Sequence, residues 1–155
     1  MTASTRTTTT IAELPTLKGQ ELGTSEWFEV TQERVNTFAD ATDDHQWIHV
    51  DVERAERESP FGGPIAHGYL TLSLVTPLVR QIIDTTGFRM GVNYGAEKIR
   101  FPSPVPVGAR VRASATLDEA TPFEGGVQMN LGVTIEVEGQ SKPALAAAIL
   151  FRRYV

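Results

Sequence analysis

Strict alternation of apolar and polar side chains dominates the second half of the chain. Val111, Ala113, Ala115 and Leu117 face one way, and Arg110, Arg112, Ser114 and Thr116 the other. Val127, Met129, Leu131, Val133, Ile135 and Val137 do the same against Gln128, Asn130, Thr134, Glu136 and Glu138. Long period-two stretches predict half-buried antiparallel strands over 110–117 and 127–138. Tyr94–Phe101 and Ala144–Phe151 read as two more strands, the latter apolar on both faces and therefore expected at the centre of the sheet. Pro102, Pro104 and Pro106 fall at every second position, which confines that stretch to a sheet edge or a bulge.

A helical period governs the first half. After a short strand over Thr24–Val30, Thr31 offers an N-cap and Glu33 an anion in the first turn. Val35, Phe38, Ala39 and Thr42 then recur at helical spacing, with Glu33, Asn36 and Asp40 on the polar face. A helical turn is expected over Val52–Glu58, followed by the breaker-rich loop Ser59–Pro64. From Ile65 to Ile83 the chain is apolar nearly all round, which predicts a helix enclosed on every side and kinked or interrupted by Pro77. Together these elements predict an α+β fold, a long central helix wrapped by a curved antiparallel sheet. The open edge of such a sheet is commonly closed by a second copy, so a homodimer is expected.

Composition narrows the function without naming it. At 155 residues the chain fits a single domain over 16–155, with the threonine-rich stretch 1–15 expected as a disordered tail. That stretch has no apolar run of the secretory kind, no segment is long enough to span a bilayer, and a cytoplasmic location is expected. The absence of cysteine excludes disulfides, thiolate metal sites and a cysteine nucleophile. A net charge of −5 argues against nucleic acid as the partner.

The chemistry concentrates in one place. Residues 43–51 hold Asp43, Asp44, His45, His49 and Asp51, and Ile65-Ala66-His67-Gly68-Tyr69 follows shortly after. Asp44 as an N-cap and His49 as a structural histidine are the plain readings of each residue alone. Their spacing, with His67-Gly68 downstream, favours an acid–base pair sharing one water. His45 and His49 also stand four apart, with Asp44 and Asp51 as possible oxygen ligands, but the metalloprotease glutamate is missing and no metal is expected. His67 is expected to fix the start of the following helix by a hydrogen bond. Trp47 and Tyr69 are candidate substrate-lining aromatics. Lys98, Arg100, Arg110 and Arg112 form a candidate patch for a phosphate-bearing carrier, against the plainer reading of solvated strand faces.

Asp44-His45-Gln46-Trp47-Ile48-His49 resembles the G-D-x-N-P-L-H motif of MaoC-like dehydratases and (R)-specific enoyl-CoA hydratases. Pro64-Ile65-Ala66-His67-Gly68-Tyr69 resembles the segment that starts the central helix of their hot-dog fold. The wording is most similar to the subset of nodulation protein N-like proteins and mycobacterial 3-hydroxyacyl-thioester dehydratases. Asp43 stands where the motif has glycine, and Gln46-Trp47-Ile48 where it has Asn-Pro-Leu. The resemblance implies reversible hydration of trans-2-enoyl thioesters to (R)-3-hydroxyacyl thioesters, with Asp44 and His49 catalytic. It further implies the Gly68 N–H as the oxyanion donor, Thr76 at the family's helix serine, and Gln46 and His67 in support. Coenzyme A or an acyl carrier protein enters only as part of the substrate. Thioester hydrolysis on the same fold, and a non-catalytic acyl-thioester-binding subunit, stand as alternatives; a metal-dependent hydrolase is a more distant one.

Overall fold

The computed structural model describes residues 3–155. Strand β1 (Thr7–Thr10) pairs in parallel with β4 (Ile83–Thr86) as a two-stranded ribbon. The expectation of a disordered segment over 1–15 is thereby corrected for its described part; residues 1 and 2 lie outside it. Four consecutive β-branched threonines favour extended backbone. The Thr7 hydroxyl donates to the Leu22 carbonyl at 2.6 Å, and Thr9 is buried. A 3-10 turn over Leu14–Leu17 then buries Leu14.

The main sheet contains β2 (Glu21–Thr24), β3 (Phe28–Glu29), β5 (Met90–Arg100), β6 (Arg110–Phe123), β7 (Gly126–Val137) and β8 (Leu145–Tyr154). Its order is β2-β6-β7-β8-β5, antiparallel throughout, with β3 also pairing β6. β8 is paired on both sides, by β7 and β5, although β7 rather than β8 occupies the middle of the order. The expected single strand over 24–30 is two pieces. Between them Ser25 donates its N–H to the Ala113 carbonyl and accepts the Ala113 N–H on its hydroxyl, both at 2.9 Å. A side-chain oxygen thus replaces one ladder carbonyl. A register shift between Leu117 and Glu119 marks a bulge that curves the long β6–β7 pair.

Helix α1 (Gln32–Thr42) is capped by Thr31, whose side chain accepts the Arg34 N–H. The short α2 (Trp47–Val50) and α3 (Val52–Glu58) follow, the latter capped by Asp51. The segment expected as one enclosed helix is α4 (Gly68–Ser73) and α5 (Val75–Ile82), separated at Leu74. Pro77 explains the position of the break, because it has no N–H to give the Ser73 carbonyl and its ring crowds that group. The enclosure is one-sided. Leu70, Leu74, Val75, Leu78, Val79 and Ile82 pack on the alternating face of β6 and β7, while Tyr69, Ser73, Pro77 and Arg80 form an exposed stripe. Ala113 and Ala115 keep that face shallow, so the helices lie close to the sheet.

Candidate active site

Helix α1 ends on Asp43, which adopts φ +58°, ψ 23°. This is the left-handed conformation that glycine takes freely and Asp or Asn tolerate better than other residues. It turns the chain sharply, so that Asp44 leaves the helix and α2 carries His49 inward. Asp44 is exposed, whereas His49 and His67 are 6% and 3% exposed. One carboxylate oxygen of Asp44 and one ring nitrogen from each histidine lie within 4.8 Å of one another.

Each imidazole is held by a backbone carbonyl. His49 Nδ1–H donates to the Ile65 carbonyl at 2.6 Å, which leaves its Nε2 with the free lone pair. His67 Nε2–H donates to the carbonyl of Asp44 at 2.9 Å. The two rings stack with centroids 3.9 Å apart and planes 27° apart, and Phe38 lies against His67 at 5.0 Å. Burial is the main influence on the His49 pKa and pushes it below the usual histidine value. The proximity of His67 adds to that, while the Ile65 hydrogen bond and the Asp44 charge oppose it.

The hydrogen bond expected of His67 runs to the Asp44 carbonyl. Its side chain makes no cap on α4 and instead ties the start of the central helix to the Asp44 turn. The sequence-based metal set also separates. His45 faces outward to Asp40 at 2.9 Å, and Asp51 is engaged in capping α3. The two imidazoles and one carboxylate that do converge are metal-ligating types. Each ring keeps one nitrogen free of its carbonyl, His49 Nε2 and the buried, unpartnered His67 Nδ1.

Gly68 begins α4, and among the described residues its N–H has no partner, as the first N–H of a helix has no acceptor within it. A side chain here would meet the Phe101 ring at 3.3 Å. The two residues border a cleft of about 430 Å³, lined also by Phe61, Ile65, Thr71 and Val105. The loop over 101–109 clasps the chain entering α4, with Ala66 N–H to Val105 O at 2.8 Å and Val107 N–H to Pro64 O at 3.0 Å. Asp44 and His49 do not line this cleft; Ile65 joins the two, lining the cleft while its carbonyl holds His49. The alternating prolines were the one signal of this clasp. Phe61 and Phe101, both exposed, are the site residues that sequence reasoning missed.

The remaining candidates lie elsewhere. Thr76 is two turns along the helix, donates to Asn93 Oδ1 at 3.4 Å, and lines a separate groove with Tyr94 and Phe151; within one chain it is not brought to Asp44. Gln46 starts α2 and its N–H approaches Asp44 Oδ1 at 3.4 Å. Trp47 is half-buried beneath the Arg54 guanidinium, 4.3 Å from the ring centre, and Tyr69 is 71% exposed, edge-on to Phe101. Neither lines the cleft. The candidate cationic patch does not assemble. Arg110 and Arg112 pair across the sheet with Glu138 and Glu136, and Arg100 donates to the Ile99 carbonyl. Lys98 sits at the irregular end of β5 with φ +52°.

Comparison with known proteins adds four findings. The family model described as MaoC like domain matches residues 13–138. The chain is 49% identical over 148 residues to 3-hydroxyacyl-thioester dehydratase Z of Mycobacterium tuberculosis, covering 95% of this chain and 97% of that one. It is 48% identical over 143 residues to nodulation protein N of Rhizobium leguminosarum bv. viciae, covering 88% and 86%. Among solved structures, the (R)-hydratase from A. caviae involved in PHA biosynthesis superposes with a TM-score of 0.69 at 25% identity, covering 86% of this chain and 94% of that one.

Proposed function

The chain belongs to the MaoC-like dehydratase family, with the hot-dog fold, and on that premise we propose that it interconverts trans-2-enoyl and (R)-3-hydroxyacyl thioesters. The observation that carries this reading is the convergence of Asp44, His49 and His67 behind the chain that opens onto Gly68. A span of at most 4.8 Å between the Asp44 carboxylate and a His49 nitrogen suits one bridging water with two hydrogen bonds of about 2.8 Å.

In the hydration direction that water adds to Cβ of the enoyl group while its proton passes to the acid–base pair. Neutral His49 suits this role, because burial keeps it unprotonated and the Ile65 carbonyl leaves Nε2 as acceptor. Negative charge develops on the thioester oxygen, where the unpaired Gly68 N–H donates; such a donor is worth about 3–4 kcal/mol in the transition state. A proton then reaches Cα from the same pair. Dehydration is the reverse path. The reaction moves only protons and water, so the proposal calls for no cofactor beyond coenzyme A or a carrier protein borne by the substrate.

The assembly we propose is a homodimer closed along β5. Met90, Val92 and Tyr94 on that edge strand are exposed, as are Tyr69 and Phe101 nearby, a concentration of apolar surface that a monomer rarely leaves open. Thr76 lies on this same side, so a second copy would cover it. No helix among the described residues is long and apolar enough to cross a membrane, and we place the protein in the cytoplasm, where a chain without cysteine forgoes nothing. The test is loss of enoyl absorbance from crotonyl-CoA, with free thiol followed in parallel. Absorbance loss without thiol release supports the reading; absorbance loss matched by thiol release converts it to hydrolysis, and neither signal leaves a binding subunit.

A further inference from the structure

The structure holds a second polar pocket, remote in sequence from the Asp44–His49 turn. It lies where the end of α5, strand β4, the start of β5 and the end of β8 meet, and encloses about 330 Å³. Arg6, Arg80 and Arg153 line it, with Thr85, Phe88 and Asp84. Arg6 pairs with Asp84 at 3.0 Å. Among the described residues neither Arg80 nor Arg153 has a carboxylate partner. The pocket therefore carries an excess of positive charge in a protein whose net charge is −5.

Three details show that the pocket is built rather than incidental. Arg153 lies across Gly91, where any Cβ would collide with its Nη1, and its guanidinium stacks on Phe88 at 4.6 Å. Its Nε is buried without a hydrogen-bond partner. Thr85 is 8% exposed, and its hydroxyl is likewise buried and unpartnered. Burial and the neighbouring Arg80 both pull the Arg153 pKa below the ordinary arginine value. A desolvated guanidinium facing another cation is costly unless an anion lies between them.

We propose that this pocket binds a phosphate group, with the Arg80 and Arg153 guanidiniums as the cationic clamp and the Thr85 hydroxyl as an added donor. Planar guanidinium forks match phosphate oxygens two at a time, and a hydroxyl completes a third contact. The 3′-phosphate monoester of coenzyme A and free inorganic phosphate share this chemistry. The pocket is independent of the hydratase reading, because none of its residues belongs to the Asp44–His49 site.

The experiment is calorimetric titration of the folded wild-type protein with inorganic phosphate, then with coenzyme A and 3′-dephospho-coenzyme A. Arg80→Gln is the first variant, since Arg80 is exposed and its loss spares the core; Thr85→Val is the second. Phosphate should bind the wild type with a Kd on the order of millimolar, and either variant should weaken it by about tenfold. Coenzyme A displacing phosphate, with dephospho-coenzyme A failing to do so, identifies the 3′-phosphate of the coenzyme as the occupant. Phosphate retained against both identifies a free anion. No binding at tens of millimolar phosphate, or equal binding by wild type and Arg80→Gln, overturns the proposal. A pocket filled instead by a carboxylate of a second copy gives that same null result. Loss of enoyl hydration by itself leaves these titrations unchanged, so the two readings fail separately.

Discussion

His67 links both halves of the site, so His67→Gln is an informative perturbation. The substitution removes the ring that stacks on His49 at 3.9 Å and on Phe38 at 5.0 Å. Such contacts are worth about 0.5–1.5 kcal/mol each pair. The hydrogen bond to the Asp44 carbonyl contributes about 1 kcal/mol, and a glutamine amide can restore part of it. The expected cost to folding is thus about 1–3 kcal/mol, which leaves most domains of this size folded. His67 also holds the His49 pKa down, so its removal should move the acid limb of kcat/KM to higher pH. Looser placement of the Asp44 turn should lower kcat/KM by about tenfold to a hundredfold at the plateau. The assay is crotonyl-CoA hydration from pH 5 to 9, beside a denaturant melt of the same preparation. A destabilised variant with an unshifted acid limb and wild-type kcat/KM would refute the assigned positioning role and leave His67 a packing residue.

Other expectations follow from single features. Because His49 is buried and its pKa lies below the usual value, the unfolded chain binds the proton more readily. Its contribution to stability is therefore present above about pH 6.5 and lost as pH falls through the depressed folded value; a urea midpoint that is flat over that window contradicts the burial argument. Asp43 at φ +58° should tolerate Gly with no loss of stability, whereas Asp43→Val should cost about 1–2 kcal/mol by thermal or chemical melts. Tyr94→Glu, on the exposed edge strand, should convert a dimer to a monomer in light scattering; an unaltered mass moves the interface elsewhere.

How much was legible in the sequence depended on whether the signal was local. Thr31 and the Val35–Ala39 spacing located α1, and unbroken alternation located β6 and β7, because cap chemistry and period two act within a few residues. Val52–Glu58 was read at its observed bounds. The misses are non-local. Thr7–Thr10 becomes a strand only because Ile83–Thr86 lies alongside it. The exposed stripe on α4 and α5 was partly legible, since polar Ser73 and Arg80 fall on it at helical spacing, yet the segment was read as apolar all round. Pro77 announced an interruption, yet the break falls one turn earlier, at the carbonyl it leaves without a donor. Spacing put Asp44 and His49 forward together, and the fold brings their side chains within 4.8 Å. His67 joins them, stacked on His49 and bonded to the Asp44 carbonyl 23 positions away, and Phe101 reaches Gly68 from the loop that follows β5. Neither contact leaves a mark in local sequence.

The most direct test is crotonyl-CoA hydration by Asp44→Asn and His49→Ala, each confirmed folded and of wild-type mass. A carboxylate and an imidazole acting on one water predict that each variant loses about a hundredfold or more of kcat, and that the double variant is scarcely worse than the slower single one. Turnover near wild type in either variant would place the reacting water elsewhere and contradict the account.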